Sequence, residues 1–498
     1  MEAMKRNKFV TSVTTGALGL ALIGLAACNS GETTTPTPAP GGSAGNTNAL
    51  VFVNNTGDKT LASIALKGDS NNTVVNTIDA AEFENVALGD MQSTDGDWVF
   101  VNLGAANKVA TIDPLTAATP VHEVNLQSGT RPVHLFRSAN DGEVVWIMND
   151  GDNATGTTTP GDDLVNCAVQ GGGSVTAIHN SHLGPGATPP TVLGTTCLLA
   201  DGHKVAAFSS GSGVPKRVFV SSTTAGEISV LDDDEASADY RKLINRIDLC
   251  NPAKETCNDE SATPLTAAFT PNSSEPHGIR WSKLTKKIYS FQEGYQEIAE
   301  FDPATLAKTN TFDLAGTPYT GYGISPDGRF LLLRGDTTPA TGTKLGVIDL
   351  GTVGAPRTDF TIPQLDGTST GAFKFSPDVK RFYILAGNAV TSTKKDRLFA
   401  FDASTLTATP PALTLIREIG LIAGGDTVGF AGAHSIDVLA EGAGEAKYIA
   451  VSNRADSSVS IISAADNLIK QTVTVGTNPG AVLVYKAGGT EAGNQATN

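Results

Sequence analysis

From residue 49 onward the chain repeats itself. Short β-branched runs broken by turn residues recur at a spacing of roughly 40–50 residues, with no long helical periodicity between them. The clearest unit is KYIAVSNRADSSVSIISAADNLIKQTVTVGTNPGAVLVY. It holds an alternating strand, a polar turn, two further strands, a Gly/Pro corner and a last strand. WVFVNLGAANKVATIDPLTAATPVHEVNL, RVFVSSTTAGEISVLDDD, KIYSFQEGYQEIAEFDPATLAKTNTFDL and RFYILAGNAV…DRLFAFDASTL follow the same plan. Such units bury their faces only against one another, so the expected fold is all-β: a single β-propeller of four-stranded blades. With strands lettered a to d outward, inner strands begin near residues 86, 131, 203, 275, 320, 370, 432 and 478. That predicts eight blades. Seven is the rival count, because the start near 86 is the faintest. The repeat region opens on a b strand, ALVFVNN, and closes on an inner strand, PGAVLVY, so the last strand is expected to complete the first blade.

The first 48 residues carry none of this. Lys5, Arg6 and Lys8 precede GALGLALIGLAAC, a run too short to span a bilayer as a mature helix. Leu25-Ala26-Ala27-Cys28 resembles the lipobox of bacterial lipoproteins. The resemblance implies a signal peptide over residues 1–27, removed before Cys28, and lipid on the Cys28 thiol as the membrane anchor. Asn29 implies sorting to the outer membrane of the cell envelope, facing the periplasm or the cell surface. Residues 28–48, rich in Pro, Thr, Gly and Ser, are expected to form a disordered tether, 49–486 the propeller and 487–498 a flexible tail. The formal charge of −16, about −18 once three basic groups and Glu2 leave with the signal, argues against nucleic acid.

Four cysteines remain in an oxidising compartment: Cys167, Cys197, Cys250 and Cys257. The spacing favours Cys250–Cys257 as a loop clasp, leaving Cys167–Cys197. There is no C-x-x-C-H stretch for c-type haem and no paired C-x-x-C zinc knuckle.

The SPDG turn and YIAVSN before SVSII resemble YVTN-type propellers, a group that includes lactonase-like, haem d1-binding and periplasmic metal-chaperone propellers. The resemblance covers about residues 49–486 and implies architecture far more than chemistry.

Histidine, of which the chain has seven, recurs at inner-strand heads: His134 (RPVHLF), His203 (DGHKVAAF), His277 (EPHGIRW) and His434 (GAHSIDV). An inner-strand head sits at the mouth of the central channel. His277 and His434 share a register against the following Ile, whereas His134 and His203 fit only within one residue. Three of these strands are consecutive and the fourth lies across the ring. Neutral imidazole is the common ligand of zinc and copper, so a metal site is expected at this mouth, with His434 at the limit of reach. The rival reading makes these histidines corner residues that cap backbone carbonyls. The long insertion NDGDNATGTTTPGDDLVNCAVQGGG, with Asp150, Asp152, Asp162 and Asp163, and both cysteine pairs belong to the same rim. His179 and His182 fall on the opposite face. Calcium at residues 150–153 is the lesser expectation, since the remaining loop ligands and the terminal Glu are missing.

Gly367-Thr368-Ser369-Thr370-Gly371 matches G-x-S-x-G but leads into an inner strand, where a nucleophile elbow needs strand-turn-helix. No P-loop or Rossmann fingerprint occurs. The leading expectation is a non-enzymatic, monomeric lipoprotein that buffers zinc or copper or delivers it to another envelope protein. The alternatives are an interaction scaffold, for instance for a redox partner, with structural histidines, and a haem d1-type binder or lactonase-like enzyme.

Overall fold

Each repeat folds as a four-stranded antiparallel sheet, and eight such sheets make up the ring. The computed structural model describes residues 49–94, 98–114, 121–151, 173–180, 189–198, 202–265, 267, 269–314, 319–335, 345–354, 356–365, 368–388, 396–420 and 430–486. The expectations on residues 1–48 (Cys28 included), on Asp152, Asp162, Asp163, Cys167 and His182, and on the C-terminal tail therefore lie outside the described residues. Numbering blades from the one that contains the first and last described strands, the inner strands are Pro479–Tyr485, Met91–Ser93, Pro132–Arg137, Lys204–Ser209, Pro276–Ser282, Gly321–Ile324, Thr368–Phe375 and Ala433–Glu441. The count is eight. Among the described residues no helix is long and apolar enough to cross a membrane.

Burial explains why the second strands of a blade are apolar on both faces while the rim is not. Val144–Asn149 (VVWIMN) and Phe330–Arg334 (FLLLR) are buried at every position, because a blade packs a neighbour against each of its faces. The outer strand Lys308–Asp313 (KTNTFD) is exposed at all positions but one, and its polar side chains blunt an open sheet edge. Between blades 3, 4 and 5 one continuous core holds Trp146, Phe208, Phe219 and Trp281. Burial of each large apolar side chain there contributes about 1.5–3 kcal/mol.

The ring closes as the strand order requires. Ala49–Asn55 pairs with Pro479–Tyr485, matching Val51 to Val484 and Val53 to Val482. Beyond the strands, Thr56 N–H donates to Asn478 O (3.1 Å), and the Asp58 carboxylate accepts from Thr477 N–H (2.6 Å).

Two local devices recur. At the mouth-side end of strand b an Asn ties to Ser or Thr on strand c: Asn149 Nδ2 donates to Ser174 Oγ and Thr176 Oγ1 (both 3.0 Å), and Asn453 Nδ2 to Ser458 Oγ (3.1 Å) and Ser460 Oγ (2.9 Å). On the opposite face, Ser325 and Ser376 turn strand a into strand b, each hydroxyl donating to the Asp two residues on. The fourth position of this turn needs a positive φ. Gly328 supplies it at 76°, and a side chain there would press on Lys283 N at 2.8 Å. Val379 takes the same position at 59°, an unfavourable conformation for a β-branched residue.

The faint first inner strand begins at Met91 rather than near 86. A short turn at Ala80–Phe83 buries Phe83 completely and delays the strand, so apolar Val86 and Leu88 belong to the approach and not to the sheet. The Cys250–Cys257 disulfide is present, with its Cα atoms 5.7 Å apart, in the loop after the outer strand of blade 4. Cys197, last residue of the outer strand Thr191–Cys197, is also disulfide-bonded.

Candidate functional site at the channel mouth

The chain enters several inner strands through a left-handed residue. Arg131, Glu275 and Asn478, each just before a proline, have φ of 47°, 44° and 50°; Gly202 and Gly432 serve at 81° and 65°. This corner turns the backbone sharply and sets the next side chains over the mouth. In blades 3, 5 and 8 the pairing also slips at the strand head, between Pro132 and His134, Pro276 and Ile279, and Ala433 and Ile436. Bulges of this kind re-aim side chains. The slip absorbs the one-residue offset that separates His134 from His277 in sequence.

Three of the four strand-head histidines meet. The rings of His134 and His203 lie 4.7 Å apart at 77°, with their Nε2 atoms 3.1 Å from one another. The His277 ring follows at 5.8 Å from that of His203. Each imidazole has an acid at Nδ1. Asp90 Oδ2 stands 3.1 Å from His134, Asp150 Oδ2 3.4 Å from His203, and Glu293 Oε2 3.0 Å from His277, the last in contact without hydrogen-bond alignment. The His134 side chain is 7% exposed, whereas His203 and His277 keep 29% and 27%. The arc is closed at the His134 end and open at the other.

His434 stands apart. It heads blade 8, at least three blades from the others, and its Nε2 accepts from Arg454 Nη2 at 2.7 Å. Burial, with the Arg454 charge adding to it, pushes its pKa down to about 4, so it is a neutral acceptor. Of the other histidines, His179 Nε2 faces Glu143 Oε2 (3.2 Å) on the far face, and His122 packs edge-on to Trp98.

The electrostatics of the arc are asymmetric. Burial opposes charge on His134, but the Asp90 hydrogen bond and the charges of Asp90 and Asp150 outweigh it and raise its pKa. Burial lowers that of His203, and the His134 and His277 charges add to the effect against the Asp150 hydrogen bond. Burial would raise Asp150, but the His203 hydrogen bond and the charges of Lys204, His203 and His134 keep it low. Where both Nδ1 hydrogens go to the carboxylates, the two Nε2 lone pairs face each other, an arrangement suited to a proton or a cation between them.

Two nitrogens on one tetrahedral zinc at about 2.0–2.1 Å stand roughly 3.3 Å apart, close to the spacing seen. Acids behind ligating imidazoles are the usual outer shell, fixing the tautomer and raising ligand basicity. Among the described residues, however, no three His, Cys, Asp or Glu side chains already close on a single point. The arc offers two converging nitrogens and a third imidazole one step away.

Sequence reasoning placed Asp150 on this rim but missed the role of Asp90, Asp150 and Glu293 behind the imidazoles. A signal existed for two of them: Asp150 and Glu293 each directly follow the mouth-side end of a strand b, after Asn149 and Gln292.

No protein-family model and no curated protein matches this chain. Solved structures do. The dihydro-heme d1 dehydrogenase NirN, determined in complex with DHE, superposes with a TM-score of 0.55 at 14% identity, over 92% of this chain and 78% of that one. Sqt1 of Saccharomyces cerevisiae gives 0.53 at 10% identity, over 82% and 94%. A putative 6-phosphogluconolactonase from Bacteroides fragilis gives 0.48 at 14%, over 89% and 99%. At such identities the likeness shows the propeller fold alone, because unrelated chemistries share it.

Proposed function

We propose that this propeller is a lipoprotein, held at the cell envelope by lipid on Cys28, that binds a zinc or copper ion through His134 and His203. His277 swings in as third ligand, and the ion is buffered or passed to another envelope protein. One observation carries the reading: two Nε2 atoms 3.1 Å apart, each on a ring whose Nδ1 faces an acid, Asp90 or the buried Asp150. His277, more exposed, stands where an ion enters or leaves.

A second reading is favoured by the opposed shifts of His134 and His203. The pair then shares a proton, His134 donating to His203, and serves only to brace a scaffold. Elemental analysis of untagged protein and calorimetric titration with zinc and copper separate the two. The metal reading expects one equivalent bound by wild type and none by the His134→Gln, His203→Gln double variant at unchanged melting temperature. Wild type without affinity, or a double variant that binds as tightly, leaves the scaffold reading. The anchor is checked on its own: Cys28→Ser should move the protein from membranes to the soluble fraction.

A further inference from the structure

A second feature lies between blades 4 and 5. A cavity of about 230 Å³ opens between the outer strand Leu243–Asp248 and the facing sheet of blade 5. Its volume equals that of about eight liquid waters, at the small end for a ligand site. Into its wall is built Gln292, 1% exposed, whose Oε1 is buried with no hydrogen-bond partner. A buried polar atom without a partner costs stability, so Gln292 Oε1 in the wall of a cavity calls for an occupant.

The rest of the lining defines that occupant. Asp248 Oδ1 is already used, accepting from Cys250 N–H (2.9 Å) and Asn272 Nδ2 (3.0 Å), whereas Oδ2 takes no hydrogen bond among the described residues. Phe301 and Leu249, both buried, supply apolar wall. Lys308, paired with Phe301 across the sheet, stands exposed at the edge. The loop clasped by Cys250–Cys257 does not fill the space: its Asn251 Nδ2 is spent on both oxygens of Glu297 (3.2 and 3.1 Å).

We infer that this cavity binds a neutral polyol of about monosaccharide size. Two acceptors, Gln292 Oε1 and Asp248 Oδ2, fit a pair of hydroxyl donors, and the Gln292 amide can donate in return. Phe301 and Leu249 cover the C–H face of such a molecule. An anion would meet a carboxylate and an amide oxygen inside. A cation would have to pass the Lys308 ammonium. An apolar molecule would leave Gln292 unpaired.

The test uses the whole purified protein and a panel of neutral probes, D-glucose, D-galactose and myo-inositol, with cyclohexanol as the hydroxyl-poor control. Calorimetry should show saturable binding of at least one polyol and much weaker binding of cyclohexanol, since a site built for hydroxyls rejects analogues that lack them. Gln292→Leu should weaken polyol binding about tenfold or more. Asp248→Asn, which keeps the Oδ1 contacts, should weaken it as well and serves if the first variant misfolds. The His134→Gln, His203→Gln variant should bind polyol like wild type, which separates this site from the mouth. No polyol binding by wild type, equal binding by both cavity variants, or a crystal soaked in polyol that shows only ordered water in the cavity would overturn the inference.

Discussion

Blades 5 and 8 pose the same histidine in the same place and give it opposite surroundings. His277 follows Pro276, which pairs with Gln292; His434 follows Ala433, which pairs with Asn453. The next residue of each turn, Glu293 or Arg454, is held by an equivalent backbone bond, to Glu275 O and Gly432 O. Yet Glu293 sits at Nδ1 of its imidazole and leaves Nε2 unoccupied by that turn residue, while Arg454 occupies Nε2 and keeps its imidazole neutral. One turn residue thus separates a ring available to a ligand from one committed to the fold. The contrast extends to the neighbouring strands. Blades 3 to 5 bring imidazoles together at the mouth, whereas blades 7, 8 and 1 are tied by the buried Lys374–Asp437 pair (3.1 Å), with Asp437 Oδ2 also accepting from Val484 N–H (2.6 Å).

If the two sides are divided in this way, damage to one should leave the other intact. Lys374→Met should cost about 3–5 kcal/mol of stability in denaturant unfolding, because it strands Asp437, and should leave metal affinity unchanged. A loss of metal binding in that variant would break the division.

His434 should govern part of the acid sensitivity. Its folded pKa, about 4, lies below the unfolded value of about 6.5, so the unfolded chain binds the proton first. Its contribution is present above pH 6.5 and is lost as pH falls toward 4, by up to about 3 kcal/mol. His434→Gln, which keeps an acceptor for Arg454, should flatten stability against pH in that window. An unchanged slope would mean that the imidazole is not buried neutral.

On the other side, Asp150→Asn retains an oxygen for Lys204 N–H but removes the charge behind His203. Metal affinity should fall about 10–100-fold, the usual weight of an acid behind a ligating imidazole. Glu293→Arg, which copies blade 8 into blade 5, should have the smallest effect, about tenfold or less, since His277 is the outermost ring. Calorimetry on both variants checks the order.

The ring, its count and its closure were legible because each blade repeats the alternation and turn chemistry of the others, so evidence accumulates over eight copies. The strand heads were legible for the same reason: RPVH, EPHG and NPGA mark one corner. The partners of the histidines were not. Asp90 reaches His134 from blade 2 and Asp150 reaches His203 from blade 3, contacts between neighbouring blades that no spacing along the chain encodes. The exact aim of His134 was hidden by a bulge, which changes register without an obvious residue signature. The sequence was also silent on Gln292, whose significance lies in a buried Oε1 without a hydrogen-bond partner.

The central claim is that a metal ion takes the place of a proton between His134 and His203. Titration of the wild-type protein with zinc or copper at pH 7, in two buffers of different ionisation enthalpy, counts the protons released. The account expects binding of one ion with release of about one proton, since ligation requires neutral imidazole and the ion displaces the proton that the account places between the two Nε2 atoms, 3.1 Å apart. Binding with no proton release, or no binding in either buffer, would contradict it.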